Sequence, residues 1–445
     1  MSKTADLLEL ALTTVKMGKK YGASEVLSRT QSQRSVSFQV RDGDLEKVED
    51  STSQTLAIDL YVDHRYSTHR TSDLRPASLE AFIKNAVETT KFLEKDQDRR
   101  LTDAELQQSI SRIELDLTDQ RVLQLNRDQR LQACQRMDER LKGKKYLISA
   151  SSGQGDSYAQ MAMASSDGLA FSHEMTNASL YSSVSLDGRD GRKPSAGFGM
   201  AAVHLGQLYA AEKIADEALS QAYLAREMGK GPNAKTTMVV DRMASARLIS
   251  QLLRPAIAQA VYQKRSCFMN RIGQSIVSEK LSLQDQPLLP RALRSRLFDT
   301  AGLASHPMWL IQEGKLENIY VDPYYGRKLK MRPTAVGPSN VLVKPGSHSQ
   351  AEILAIADKG IMVTDWIGGN MDAGTGDFSF GVQGFMIEKG KLGRPVSEMN
   401  MTGNLLELFA RLVEVGNDTW RYSYSGIQAP TLAFENVQFS GASQS

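Results

Sequence analysis

WIGGNMDAGTGDFSFGVQGFMIEKGKLGRPVSEMNMTGN, residues 366–404, sets the character of this chain. It places Gly368, Gly369, Gly374, Gly376, Gly381 and Gly384 among small polar residues and two aspartates, Asp372 and Asp377. Glycine permits positive φ and close backbone approach. The run is too glycine-rich for a helix and too patterned for a disordered linker, so it predicts a shaped loop followed by strands. The short apolar stretches around it, separated by Gly and Pro turn signals, predict a β-rich C-terminal domain, barrel- or sandwich-like.

Working outward, this region opens with the strand-like TTMVVD, ending at Asp241. A helix is expected over 244–262, with Ile249, Leu252, Leu253, Ala256, Ile257 and Ala260 on one side. Pro255 lies inside it and should kink or split it. A last helix is expected over 404–415, with Leu405, Leu408, Phe409 and Leu412 as its stripe. Asn404 and Glu407 resemble a capping box, and Gly416 stops the helix.

Toward the N-terminus the pattern is helix, strands, helix. Leu7, Leu8, Ala11 and Val15 share one face of a helix over 4–21. Strand-like alternation then runs over 25–71: Val36, Phe38 and Val40 precede the turn dipeptide Asp42-Gly43, and Leu56, Ile58, Leu60 and Val62 follow it. A helix follows Pro76. Residues 95–117 are polar and read as a linker. A helix over 121–141, several strands over 146–186 punctuated by Gly153, Gly155 and Asp167-Gly168, and a helix over 205–228 come next. The expected class is α+β, with an N-terminal α+β domain (1–95), a middle α+β domain (112–229), both with antiparallel sheets, and the β-rich domain (233–445).

The chain has 445 residues, enough for two or three domains. Its 54 basic and 51 acidic residues leave a net charge of +3, without the one-sided basic excess of a nucleic-acid binder. The basic clusters at 291–296 and 327–332 read as solvated surface. The opening segment is amphipathic and carries Glu9 and Lys16, unlike a signal peptide. No run reaches the roughly 18 apolar residues of a membrane span. Cys134 and Cys267 make no disulfide framework and suit a reducing compartment. The expectation is a cytoplasmic protein with no nucleic-acid or membrane partner.

Motifs for chemistry are sparse. There is no P-loop, no GxGxxG and no GxSxG nucleophile elbow. The six histidines are His64, His69, His173, His204, His306 and His348. His173-Glu174 starts like a zinc helix, but Asn177 and Ala178 stand where a second imidazole would be needed. Lys264 and Arg265 precede Cys267 and would lower a thiol pKa, although a structural cysteine is the simpler reading.

Several segments, in order, resemble the TldD/PmbA family, and within it the PmbA (TldE) branch. They are SFQVRDGDLEKVEDSTSQTLAIDLYVD followed by STHRTSDL, then FDTAG at 298–302, TGDFSFG with GF and IEKG, PVSEMNMTGN at 395–404 and VGND at 415–418. The resemblance implies a heterodimeric metallopeptidase that degrades or processes unstructured peptides in the cytosol. In its TldD branch, HExxxH on a helix and a C-terminal cysteine hold the metal, and the glutamate acts as general base. In RLISQLLRPAIAQAVYQKRSCF the matching positions are Ser250, Gln251 and Pro255. No histidine lies between His204 and His306, and no cysteine follows Cys267.

The resemblance therefore implies no catalytic residue and no metal ligand in this chain, with zinc or a similar metal expected only in a TldD-like partner. Asn370, Thr375, Gly376, Asp377, Ser379 and Phe385 are the candidates for lining a peptide groove, in which exposed strand edges hold an extended peptide. The alternative for these residues is a purely architectural role. Two other functional readings stand beside the subunit: a stand-alone homodimeric peptide- or protein-binding module, and an enzyme with a non-metal site using Asp377 or Cys267. An older family name, modulator of DNA gyrase, suggests DNA, but the charge pattern does not.

Overall fold

The structure is a computed structural model and describes residues 3–107, 110–188 and 191–441. It begins with helix α1 (Lys3–Lys20), strands β1 (Glu25–Arg41), β2 (Asp44–Val62) and β3 (Arg65–Thr71), and helix α2 (Pro76–Thr90). The short helix α3 (Gln120–Leu123) and helix α4 (Arg127–Leu141) precede β4 (Leu147–Ser165), β5 (Ala170–Leu186), β6 (Ser195–Ala202) and α5 (Ala211–Arg226). All six strands form one antiparallel sheet in the order β3-β2-β1-β4-β5-β6. Strand β1 is the seam, paired with β2 on one side and β4 on the other along most of its length.

The apolar alternation explains how helices cover this sheet. Leu56, Ile58 and Leu60 are fully buried with Ala11 and Val15 of α1 and Ile83 and Val87 of α2. Val36, Phe38 and Val40 pack on Cys134 of α4. Ile214, Ala215, Ala218 and Ala222 of α5 pack on Val184, Leu186, Phe198 and Met200. Each large side chain so buried contributes about 1.5–3 kcal/mol.

Several expectations change here. The helix over 121–141 is split, because Asn126 forms a capping box with Gln129 and starts a new helix. The segment 205–228 is a short 3-10 turn followed by α5. Residues 146–186 form two long strands rather than several. Gly153 and Gly155 lie inside β4: Gly153 pairs with Tyr181, and a Cβ there would sit 2.1 Å from the tyrosine ring. That glycine makes room for a cross-strand aromatic and marks no turn. Strand β6, SAGFGMAA, is an element its small residues conceal. The polar stretch 95–117, of which 108 and 109 lie outside the described residues, is anchored by buried Leu101, Leu115 and Leu117.

The remaining elements are β7 (Gly229–Lys230), β8 (Ala234–Val240), α6 (Arg242–Leu253), α7 (Ala258–Tyr262), β9 (Leu283–Asp285), β10 (Met308–Gln312), β11 (Lys315–Leu316), α8 (Pro323–Leu329), β12 (Val341–Val343), α9 (Gln350–Ala357), β13 (Lys359–Met371), β14 (Asp377–Glu388), β15 (Lys391–Asn404), α10 (Leu405–Ala410), β16 (Leu412–Val415), β17 (Ile427–Gln428) and β18 (Leu432–Ser440). Pro255 separates α6 from α7, as its missing N–H requires. The last helix ends early: residues 412–415 pair with β18 as β16. Asn404 caps α10 by accepting from the Leu406 N–H.

Strands β8, β13, β14, β15 and β18 close into a barrel, because β18 pairs with both β8 and β15. Met238, Val240, Ile361, Val363, Phe380, Val382, Met399, Met401, Phe434 and Phe439 come from all five strands and share one core cluster, which fills the interior. The alternate residues Val239, Met362, Phe385, Ile387 and Ala433 face outward under Ile353 and Leu354 of α9. A second sheet, β11-β10-β9-β12-β17, stands beside the barrel. The class is α+β with a β-rich, barrel-containing C-terminal region. Trp420 of that region reaches the α4/α5 core, edge-on to Phe198 at 6.0 Å. Among the described residues no helix is long and apolar enough to cross a membrane.

Candidate functional site

The glycine-rich segment is mostly strand. Gly368 and Gly369 lie in β13, Gly381 and Gly384 in β14, and only Gly374 and Gly376 in the connecting turn. The register slips between Val363 and Asp365, between Trp366 and Gly368, and between Val382 and Gly384. Bulges of this kind bend strands at barrel corners, and glycine accompanies them. A Cβ at Gly384 would lie 1.7 Å from the Met362 carbonyl oxygen, so no other residue fits that approach.

The turn itself is tied internally. The Asp372 carboxylate accepts from the Gly374 N–H at 2.7 Å and the Thr375 N–H at 3.3 Å. The Asn404 side-chain amide donates to the Thr375 carbonyl at 2.9 Å and to Asp377 Oδ1 at 3.0 Å. That amide, then the Thr375 hydroxyl, holds the Asp377 carboxyl below the usual carboxylate range. Asp377 is thus a charged structural acceptor rather than a base poised near neutrality.

The hairpin tip docks on the chain after α7. The Cys267 N–H donates to the Ala373 carbonyl at 2.8 Å. Lower down, the Arg247 guanidinium of α6 donates to the Trp366 carbonyl at 2.9 Å, and the Trp366 indole N–H donates to the Ala244 carbonyl at 2.9 Å. The glycine hairpin and the α6–α7 segment are therefore one unit.

Of the six groove candidates, the fold brings five together. Asn370 and Ser379 are exposed register partners, and Thr375, Gly376 and Asp377 form the adjoining turn. Phe385 stands apart, buried under α9. Strand β14 is paired on both sides, so its backbone offers no open edge. Among the described residues, β13 pairs on one side only from Asp365 to Met371.

On α6, Ser250 Oγ donates to the Arg247 carbonyl at 2.6 Å, and the Gln251 amide donates to the same oxygen at 3.3 Å. Pro255 offers no side-chain donor atom. A hydroxyl, an amide and a pyrrolidine do not make a zinc donor set, so the residues at these positions do not fit the metal. Among the described residues, no three His, Cys, Asp or Glu side chains converge in a metal-holding group. The histidines are dispersed: His173 lies edge-on to Phe298, His204 bonds the Asp116 carbonyl, His348 pairs with Glu414 and His69 bonds Ser67. Burial pushes the Cys267 thiol up, outweighing its backbone N–H and the Arg271 charge, and pushes Cys134 up to about 11.

Both basic clusters read as solvated surface are partly anchors. Arg291 pairs with Asp116, and Arg327 is half-buried against backbone carbonyls of residues 98–101. The helix-capping pair Asp322-Pro323 and the tyrosines Tyr324-Tyr325 were the local signal that 327–329 closes a packed helix.

Models of the PmbA/TldA metallopeptidase family match the chain in three segments: domain 1 over 29–90, the central domain over 121–226 and the C-terminal domain over 233–441. The solved structure of a candidate modulator of DNA gyrase from Bacteroides thetaiotaomicron is 33% identical, with 98% of each chain covered and a TM-score of 0.93. The chain belongs to the PmbA/TldD metallopeptidase family. The metalloprotease PmbA of Escherichia coli O157:H7 is 24% identical over 442 residues, 98% of this chain and 96% of that protein. TldE from Thermococcus kodakarensis shares the fold, with a TM-score of 0.84 at 19% identity over 97% of this chain and 100% of that one. Within the family the chain is of the PmbA/TldE type.

Proposed function

We propose that this chain is the non-metal subunit of a cytosolic two-part metallopeptidase that degrades or processes unstructured peptides. The observation that carries this reading is the donor set on α6. By the family resemblance Ser250, Gln251 and Pro255 stand at the metal-helix positions, and the first two bond the Arg247 carbonyl. Water activation then falls to a TldD-like partner holding zinc or a similar metal. This chain contributes the wall of the substrate chamber. Asn370, Thr375, Asp377 and Ser379 face the peptide, buried Gly376 shapes the turn between them, Phe385 packs under α9 farther along β14, and the one-sided stretch of β13 suits β-augmentation.

The test compares the isolated chain with its complex. The chain alone should carry less than stoichiometric zinc and leave an unstructured peptide intact. The reconstituted complex should cleave it and lose that activity to a chelator. Chelator-sensitive cleavage by the chain alone would overturn the proposal. Recovery from its native source only as a homodimer, with no metal-bearing homologue, would favour the stand-alone binding module.

A further inference from the structure

A cavity of about 190 Å3 opens where the first sheet meets the C-terminal region, away from the glycine hairpin. Four arginines and two aspartates line it, an excess of two positive charges. Arg29 is neutralised by Asp59 at 2.7 Å and also donates to the Thr300 carbonyl. Asp322 caps α8 by accepting from the Tyr325 N–H at 2.9 Å. Arg100 keeps a 3.3 Å contact with Asp103. Among the described residues, the other two arginines have no carboxylate partner. Arg327 donates only to the carbonyls of Asp98, Arg100 and Leu101. The Arg99 guanidinium packs 3.5 Å from the Tyr324 ring centre and 4.6 Å from that of Tyr66. Among the described residues, no hydrogen bond or ion pair uses its side-chain N–H groups.

Ring packing fixes the plane of a guanidinium and leaves its fork of donors free at the edge. Tyr324 is itself held, its hydroxyl donating to Asp96 at 2.8 Å. Partly buried cations without a counter-charge are costly, and the remedy that matches a free arginine fork is a bidentate oxyanion. The volume has room for several waters or one small polyatomic anion, and is below the usual range for drug-sized ligands.

We propose that this cavity binds a small oxyanion, a phosphate or a free carboxylate, with the Arg99 fork as its principal donor and Arg100 and Arg327 as flanking charge. The occupant bridges the first sheet and the C-terminal region, so its binding stabilises the folded chain by mass action. The proposal is independent of the peptidase reading.

The experiment is calorimetric titration of the full chain at low salt with inorganic phosphate, and in parallel with acetyl-dialanine and its C-terminal amide. One-to-one binding of phosphate, or of the acid but not the amide, is expected, and the pattern tells the two sources apart. Arg99→Gln should weaken it by about tenfold or more. Arg99→Lys keeps the charge but loses the fork and should fall severalfold. Arg136→Gln, at an exposed ion pair elsewhere, should bind as wild type. Circular dichroism confirms folding of each variant. No binding of either probe by the wild-type chain, or full-strength binding by a folded Arg99 variant, overturns the assignment.

Discussion

The backbone N–H of Cys267 donates to the carbonyl of Ala373 at 2.8 Å, pinning the tip of the β13–β14 hairpin to the chain that follows α7. Residues more than a hundred positions apart thereby become one surface. It joins a helix without metal donors to an exposed strand face.

Asn404 is the clamp of that hairpin. Its amide holds Thr375 and Asp377, and its carbonyl oxygen caps α10. Asn404→Ala should lower stability by about 1–2 kcal/mol, read from the denaturant midpoint. An unchanged midpoint would mean that the turn is held elsewhere.

A barrel glycine and a loop glycine of the C-terminal region differ in what they tolerate. Gly384→Ala drives a methyl into the Met362 carbonyl and should cost about 3 kcal/mol or more. Gly337→Ala meets nothing within 4 Å and should stay within about 0.5 kcal/mol of wild type. Equal melting temperatures for the two variants would refute the close-approach explanation.

Asp96 links the first sheet's trailing segment to α8, through Lys328 and Tyr324, each at 2.8 Å. Burial raises its pKa, but the hydrogen bonds from Lys328 and Tyr324 outweigh it and hold the carboxyl at about 2. The unfolded value is about 3.9, so this contribution is complete above roughly pH 5 and vanishes as pH falls through about 2. Solvent screening keeps it below about 1 kcal/mol. Asp96→Asn should flatten the acid limb of a stability–pH curve, and an unaltered limb would show that the contact carries no net energy.

If the face carrying Asn370 and Ser379 meets peptide, Asn370→Arg or Ser379→Arg should slow hydrolysis by the reconstituted complex about tenfold. Both positions are exposed, so melting temperature should hold. Wild-type turnover with both arginines in place would remove this face from the substrate path.

Neither thiol is activated. Burial pushes Cys134 up to about 11 and raises Cys267. A thiol reagent at neutral pH should therefore modify the native chain slowly, and both cysteines rapidly in denaturant. Fast modification of native Cys267 would reopen the case for a nucleophilic site.

By itself the sequence determined the elements whose signal is local. The alternation of Leu56, Ile58, Leu60 and Val62 specified a half-buried strand, Pro255 a break between helices, and Ser250 and Gln251 the polar side chains that α6 carries. Each depends on a side-chain period, a missing N–H or a functional group, all properties of a few neighbouring residues. Tertiary structure alone decided the rest. Whether Gly153 and Gly384 mark turns or close approaches depends on Tyr181 and Met362, which arrive from other strands. That the first two regions share one sheet follows from β1 pairing with β4 across more than a hundred residues of chain. That Arg99, among the described residues, packs between Tyr66 and Tyr324 with no carboxylate partner follows from the docking of α8. Contacts of such separation leave no trace in local periodicity, because their energies arise only when distant surfaces meet and exclude water.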